Sequence, residues 1–120
     1  MMKVISFGEA LVDMLSSKLG TGSDVDQFGQ DHERFTKFPG GAPANVAAAV
    51  AKLGGRSYFA GKVGADMFGD FLKMSLEQMQ VHTDCLLQTK EAKTALAFVS
   101  LDNDGERSFE FYRADRKSVV

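Results

Sequence analysis

The segment from Gly40 to Gly64 constrains the fold most, because its glycines and its proline mark where regular structure starts and stops. Gly40-Gly41 makes a turn, and Pro43 suits the first helical position, where its missing N–H would have no partner anyway. Val46, Val50 and Leu53 recur at i, i+4 and i+7, which predicts an apolar helical face, and Gly54-Gly55 ends the helix. The alanines between them (Ala47, Ala48, Ala49, Ala51) favour helix and permit close packing on a sheet. Ser57 to Val63 reads as a buried strand closed by Gly64, and Lys3 to Gly8, with Val4, Ile5 and Phe7, reads as an earlier one. From Asp66, a good N-cap, to Gln80, residues Phe68, Phe71, Leu72, Ser75, Leu76 and Met79 mark one face of a second helix. Strand, helix, strand, helix is the start of a parallel α/β layer.

The flanking segments differ in character. Thr94 to Leu101 and Arg107 to Tyr112 alternate as strands around Asp102-Asn103-Asp104-Gly105, a hairpin loop. Their pattern predicts an antiparallel sheet with one wet side, to which Leu11–Leu15 and Glu33–Phe38 would add strands. Gly20 to Gln30 is polar and Gly-rich, an exposed loop. Two parallel strands and two helices cannot cover both faces of a parallel sheet. The chain also ends at Lys117-Ser118-Val119-Val120 as if in mid-course, so the expectation is the N-terminal portion of a longer domain.

Charge and composition exclude several classes. With 14 Lys+Arg against 16 Asp+Glu, nothing marks the chain as a partner of nucleic acid or an acidic membrane surface. No apolar run approaches the roughly 18 residues of a membrane span. One cysteine makes no internal disulfide, which fits a cytoplasmic setting.

The phosphate-gripping loop G-x-x-x-x-G-K-[ST] is missing, and Gly20-Thr21-Gly22 lies in a polar loop rather than between strand and helix. His32 and His82 lack neighbours at metal-ligand spacing and read as solvated loop residues; Cys85 reads as a small buried hydrophobe. More informative is Gly40-Gly41-Ala42-Pro43-Ala44-Asn45. Two glycines let backbone approach a ligand, the helix points unpaired N–H groups at the same space, and the Asn45 amide offers a donor and an acceptor. The same pattern also fits a glycine turn and helix cap in which Asn45 serves only its own backbone. Asp13 interrupts an apolar strand, where a carboxylate is costly without partners; sugar hydroxyls, water or a basic side chain would all serve. Arg113, at a strand end, can reach a polar ligand or form a surface salt bridge.

The stretch Gly40 to Leu72 (GGAPANVAAAVAKLGGRSYFAGKVGADMFGDFL) closely resembles the first signature of the ribokinase-like (PfkB) carbohydrate kinases. Phe7-Gly8-Glu9-Ala10-Leu11-Val12-Asp13, Thr94-Ala95-Leu96-Ala97-Phe98-Val99 and the run Asp104 to Arg113 fit the same family, so the resemblance spans essentially the whole chain. The combination looks most like fructokinases, with 2-keto-3-deoxygluconate kinase or ribokinase as alternatives. The resemblance implies an α/β/α sandwich with a small antiparallel β-sheet lid over a sugar. Residues 1–120 would be the N-terminal portion of one kinase domain, with lid strands within 9–38 and 83–113.

It further implies that Asp13 and Asn45 bind substrate hydroxyls, that Gly40 and Gly41 let the sugar lie on backbone, and that Arg113 contacts it. A lid residue near Phe98 would pack on the sugar, although strand alternation lets only one of Ala97 and Phe98 face it. Ala97 stands where the sugar-acid kinases carry an aromatic, which favours fructose. The activity implied is transfer of the ATP γ-phosphate to fructose, giving fructose 6-phosphate or, as the alternative, fructose 1-phosphate, with Mg2+ and a monovalent cation as helpers. The family's catalytic Asp and anion hole sit in a second signature that has no match here, so these 120 residues alone are expected to be inactive. A reading of another class is a non-catalytic sugar-binding module that associates, as a homodimer, through its lid.

Overall fold

The computed structural model describes residues 2–20 and 25–113. Part of the predicted polar loop, Thr21 to Asp24, and the terminal Lys117 to Val120 lie outside the described residues.

β1 (Lys3–Phe7) pairs in parallel with β4 (Arg56–Gly64), and α1 (Ala42–Lys52) bridges them. Then α2 (Met67–Gln78) carries the chain to β5 (Val81–His82), which runs parallel to the first half of β4, while β6 (Leu86–Thr89) runs parallel to its second half. The two helices cover one face, and Ala48, Lys52, Gln78 and Met79, near their C-terminal ends, line a cleft between them. Phe59, Val63, Leu72, Leu76, Ala44 and Ala47 form the core between helices and sheet. Ile5 and Phe7, expected inside, lie with Tyr58 on the other face, and Phe7 is 73% exposed. There Tyr58 stacks on His82 with centroids 4.6 Å apart, so His82 ends a strand instead of sitting in a loop.

α1 buries a different stripe from the expected one. Ala44 and Ala47 face the sheet, whereas Val46 is 53% and Leu53 88% exposed. The cause is close approach: Ser57 Oγ donates 2.7 Å to Ala47 O, a distance that a large side chain on that stripe would prevent. α1 begins at Ala42, with Pro43 in its first turn. Cys85 is exposed and not buried as expected, because it lies in the short connection between β5 and β6.

A second sheet has the order β3-β2-β7-β8, from β3 (Phe35–Gly40), β2 (Leu11–Ser16), β7 (Leu96–Leu101) and β8 (Arg107–Tyr112). Its outer ladders, β2–β3 and β7–β8, are antiparallel as expected, but the central β2–β7 ladder is parallel. The reason is topological. β2 continues from β1 and β7 follows β6, two core strands that both run parallel to β4, so both enter the second sheet in the same direction.

Candidate functional site

The registers settle which side chains share a face of the second sheet, because residues directly opposite across a ladder project the same way. Phe38, Asp13, Ala97 and Phe111 make one continuous row. Gly40 and Leu11 pair two residues along on that face. A Cβ at Gly40 would overlap the Asp13 carboxylate, coming within 2.7 Å of its Cγ, so the acid lies directly over the glycine backbone. Gly41, at φ 98°, turns the chain into α1 against the Glu9–Ala10 backbone, where an added Cβ would again collide.

Among the described residues, nothing hydrogen-bonds or ion-pairs with the Asp13 side chain, and burial alone pushes its carboxyl above the ordinary range. Asn45 follows one turn beyond Gly41. Its backbone N–H donates to Gly41 O at 3.0 Å, the first bond of the helix, while its exposed side chain caps nothing. A partly desolvated acceptor, two glycines and a free amide thus flank one patch of backbone. That combination suits a neutral polyhydroxylated ligand, whose hydroxyls both donate and accept.

Arg113 joins the same face at the end of β8, 5.9 Å above the Phe111 ring, and its guanidinium donates to Glu9. The salt bridge expected of such an Arg is therefore present, and Glu9 holds it at the margin of the glycine turn. Next to Glu9 and Ala10, at the carboxyl ends of β1, β4 and β6, lies a cavity of about 120 Å³. Carboxyl ends of parallel strands are the usual ligand edge of an α/β sheet.

Phe98 is not brought to this face. Its place opposite Met14 puts it on the reverse side, edge-on to Phe35 at 5.2 Å and to Tyr112 at 5.3 Å. That side rests on α2, with the Lys37 ammonium 4.6 Å from the centre of the Phe71 ring.

The model of the pfkB family carbohydrate kinases matches residues 1–118 of this chain. The chain belongs to that family. It is 52% identical over 110 residues to Fructokinase-2 of Zea mays, covering 92% of this chain and 31% of that protein. A fructokinase structure from Xylella fastidiosa superposes with TM-score 0.80 at 48% identity, covering 98% of this chain and 33% of the other. A double-mutant fructokinase from Vibrio cholerae O395, in a fructose, ADP and potassium ion bound form, matches with TM-score 0.73 at 40% identity over 94% of this chain and 32% of the other. This pfkB-family chain therefore spans about a third of the length of the relatives it matches.

Sequence reasoning does not single out Glu9, Phe38 or Phe111, and it places the lid contact near Phe98 with only one of Ala97 and Phe98 able to face the sugar. Alternation along each strand was readable, but the register across the parallel β2–β7 ladder has no signal in a single sequence. The hairpin loop at Asp102–Gly105 could have aligned Ala97 with Phe111, since loop length sets hairpin register.

Proposed function

We propose that this chain is the sugar-holding and lid part of an ATP-dependent carbohydrate kinase whose substrate is fructose. The observation that carries the reading is the Asp13 carboxylate, lying over Gly40 between two exposed aromatic rings with no protein partner among the described residues. Asp13 accepts hydrogen bonds from sugar hydroxyls, and Asn45 supplies one donor and one acceptor beside them. Gly40 and Gly41 keep Cβ atoms out of the sugar's place. Phe38 and Phe111 present apolar ring faces to its C–H groups, and Ala97, the small residue between, leaves room for them. Arg113, steadied by Glu9, closes the open side.

In the intact kinase, the primary 6-hydroxyl of fructose would give up its proton and take the γ-phosphoryl group of ATP, with ADP as the leaving group and fructose 6-phosphate as the product. ATP with Mg2+ would supply the phosphoryl group and neutralise its charge, and a monovalent cation would assist. Among the described residues there is no cluster of three or more His, Cys, Asp or Glu that could hold a metal, and the sequence has no phosphate-gripping loop. Nucleotide and metal are assigned to the part of the relatives that this chain does not span. A cytoplasmic location belongs to the same reading, supported by the lone thiol of Cys85 and by the absence, among the described residues, of a helix long and apolar enough to cross a membrane. So does pairing of two copies through the lid, supported by the exposed Phe109 and Tyr112 on edge strand β8.

The test is a chimera in which this chain replaces the matched third of the Xylella fastidiosa fructokinase. The expected result is ATP-dependent formation of fructose 6-phosphate, with fructose preferred over ribose, tagatose and 2-keto-3-deoxygluconate. A folded chimera that prefers another of these sugars would overturn the assignment.

A further inference from the structure

We propose that Asp66 is a positioning residue for the sugar site: together with Thr94 it clasps the incoming lid strand β7 to the core sheet and thereby fixes Asp13. The inference rests on the sugar-binding reading above. Asp66 follows β4 and caps α2, its Oδ1 accepting from Gly69 N–H at 2.8 Å. A helix cap needs no more than that. Yet the same carboxylate also takes the Thr94 hydroxyl at 2.7 Å on Oδ1 and the Thr94 N–H at 2.9 Å on Oδ2, from a residue 28 positions later. Thr94 Oγ1 in turn accepts from Gly64 N–H at 2.9 Å, at the end of β4.

The knot is tight as well as fully bonded. Thr94 is only 6% exposed, and a Cβ on Gly69 would overlap the Gly64 carbonyl. Burial pulls the Asp66 carboxyl upward, but the N–H groups of Thr94 and Gly69 and the Thr94 hydroxyl outweigh it and hold the acid below its ordinary range.

The path from this knot to Asp13 is short. Ala95, next to Thr94, accepts from Val12 N–H at 3.0 Å, and Asp13 follows Val12 directly. Two residues after Ala95, Ala97 stands opposite Asp13 across the β2–β7 ladder. One backbone hydrogen bond thus separates the clasped segment from the strand that carries the sugar acid. Movement of Thr94 is passed through that bond to β2 and so to Asp13.

Thr94→Val and Thr94→Ser separate the clasp from the cap, because both leave the Gly69–Asp66 bond in place and only serine keeps the hydroxyl. The measurements on this chain are fructose titration, thermal unfolding and amide exchange. The expected result is fructose affinity at least tenfold weaker in Thr94→Val and within twofold of the parent in Thr94→Ser. Exchange at Val12 should quicken while the α2 amides keep their protection. Parent-like fructose affinity in Thr94→Val, or no recovery in Thr94→Ser, would overturn the proposal, as would equal loosening of α2, which is what a merely structural role gives. Should the parent chain itself take up no fructose, the sugar reading fails on its own, and the clasp is judged by whether exchange at Val12 quickens.

Discussion

At the residue scale, the sugar-binding role proposed for Asp13 is set against stability. Its carboxyl is harder to ionise in the folded chain than in the unfolded one, where its ordinary value is 3.8. Folding therefore carries a penalty that is full above the folded pKa and disappears below the unfolded value, where both forms are protonated. Asp13→Asn should raise Tm at pH 7 by roughly 1–2 °C, a fraction of a kcal/mol for a half-exposed group, with the gain fading as pH falls through the folded pKa and gone below about pH 4. The same variant should weaken fructose binding by about 1–3 kcal/mol, the cost of mismatching one buried hydrogen-bonding group. A lower Tm at pH 7 would mean that the carboxylate has a stabilising partner. Gly40→Ala puts a methyl group onto that carboxylate and should lower both fructose affinity and Tm, measured by titration and calorimetry. Both residues were legible in the sequence because their chemistry is local: an acid in an apolar strand, and a glycine pair before a proline.

At the element scale, periodicity located both helices and most of the strands, but it assigned the wrong face to α1. Large apolar residues predict the buried stripe, yet the helix lies so close to β4 that only alanine fits there, as the Ser57–Ala47 bond requires. Ala47→Leu should therefore cost about 1–3 kcal/mol by overpacking, while Val46→Ser should stay within about 0.5 kcal/mol, both read by denaturant unfolding. The lid strands were visible as alternating segments, and their hairpin as a loop, but the parallel join of β2 to β7 depends on the direction of two core strands and so belongs to the topology. A substitution pair tests the face that follows. Ala97→Phe fills the space beside Asp13 and should abolish fructose binding, whereas Phe98→Ala on the reverse face should leave affinity within about twofold and lower Tm. The opposite pattern would restore Phe98 to the site.

At the scale of the whole molecule, the core sheet is covered by helices on one face, while Ile5, Phe7 and Tyr58 line the other. A parallel sheet normally requires both covers, and the matched relatives are about three times as long as this chain. On the proposed reading the chain carries the sugar floor and its lid, and the nucleotide falls to the part of the relatives that it does not span. It should bind fructose and form no fructose 6-phosphate from ATP when incubated alone. On the proposed reading, the glycine turn and the Asp13 row form the floor on which the sugar rests. The most direct measurement is a fructose titration of the isotopically labelled chain followed residue by residue by NMR. Saturable shifts are expected at Asp13, Gly40, Gly41, Asn45 and Ala97, and none at the reverse-face residues Phe35 and Phe98. Shifts centred on any other surface, or none at saturating fructose, would contradict it.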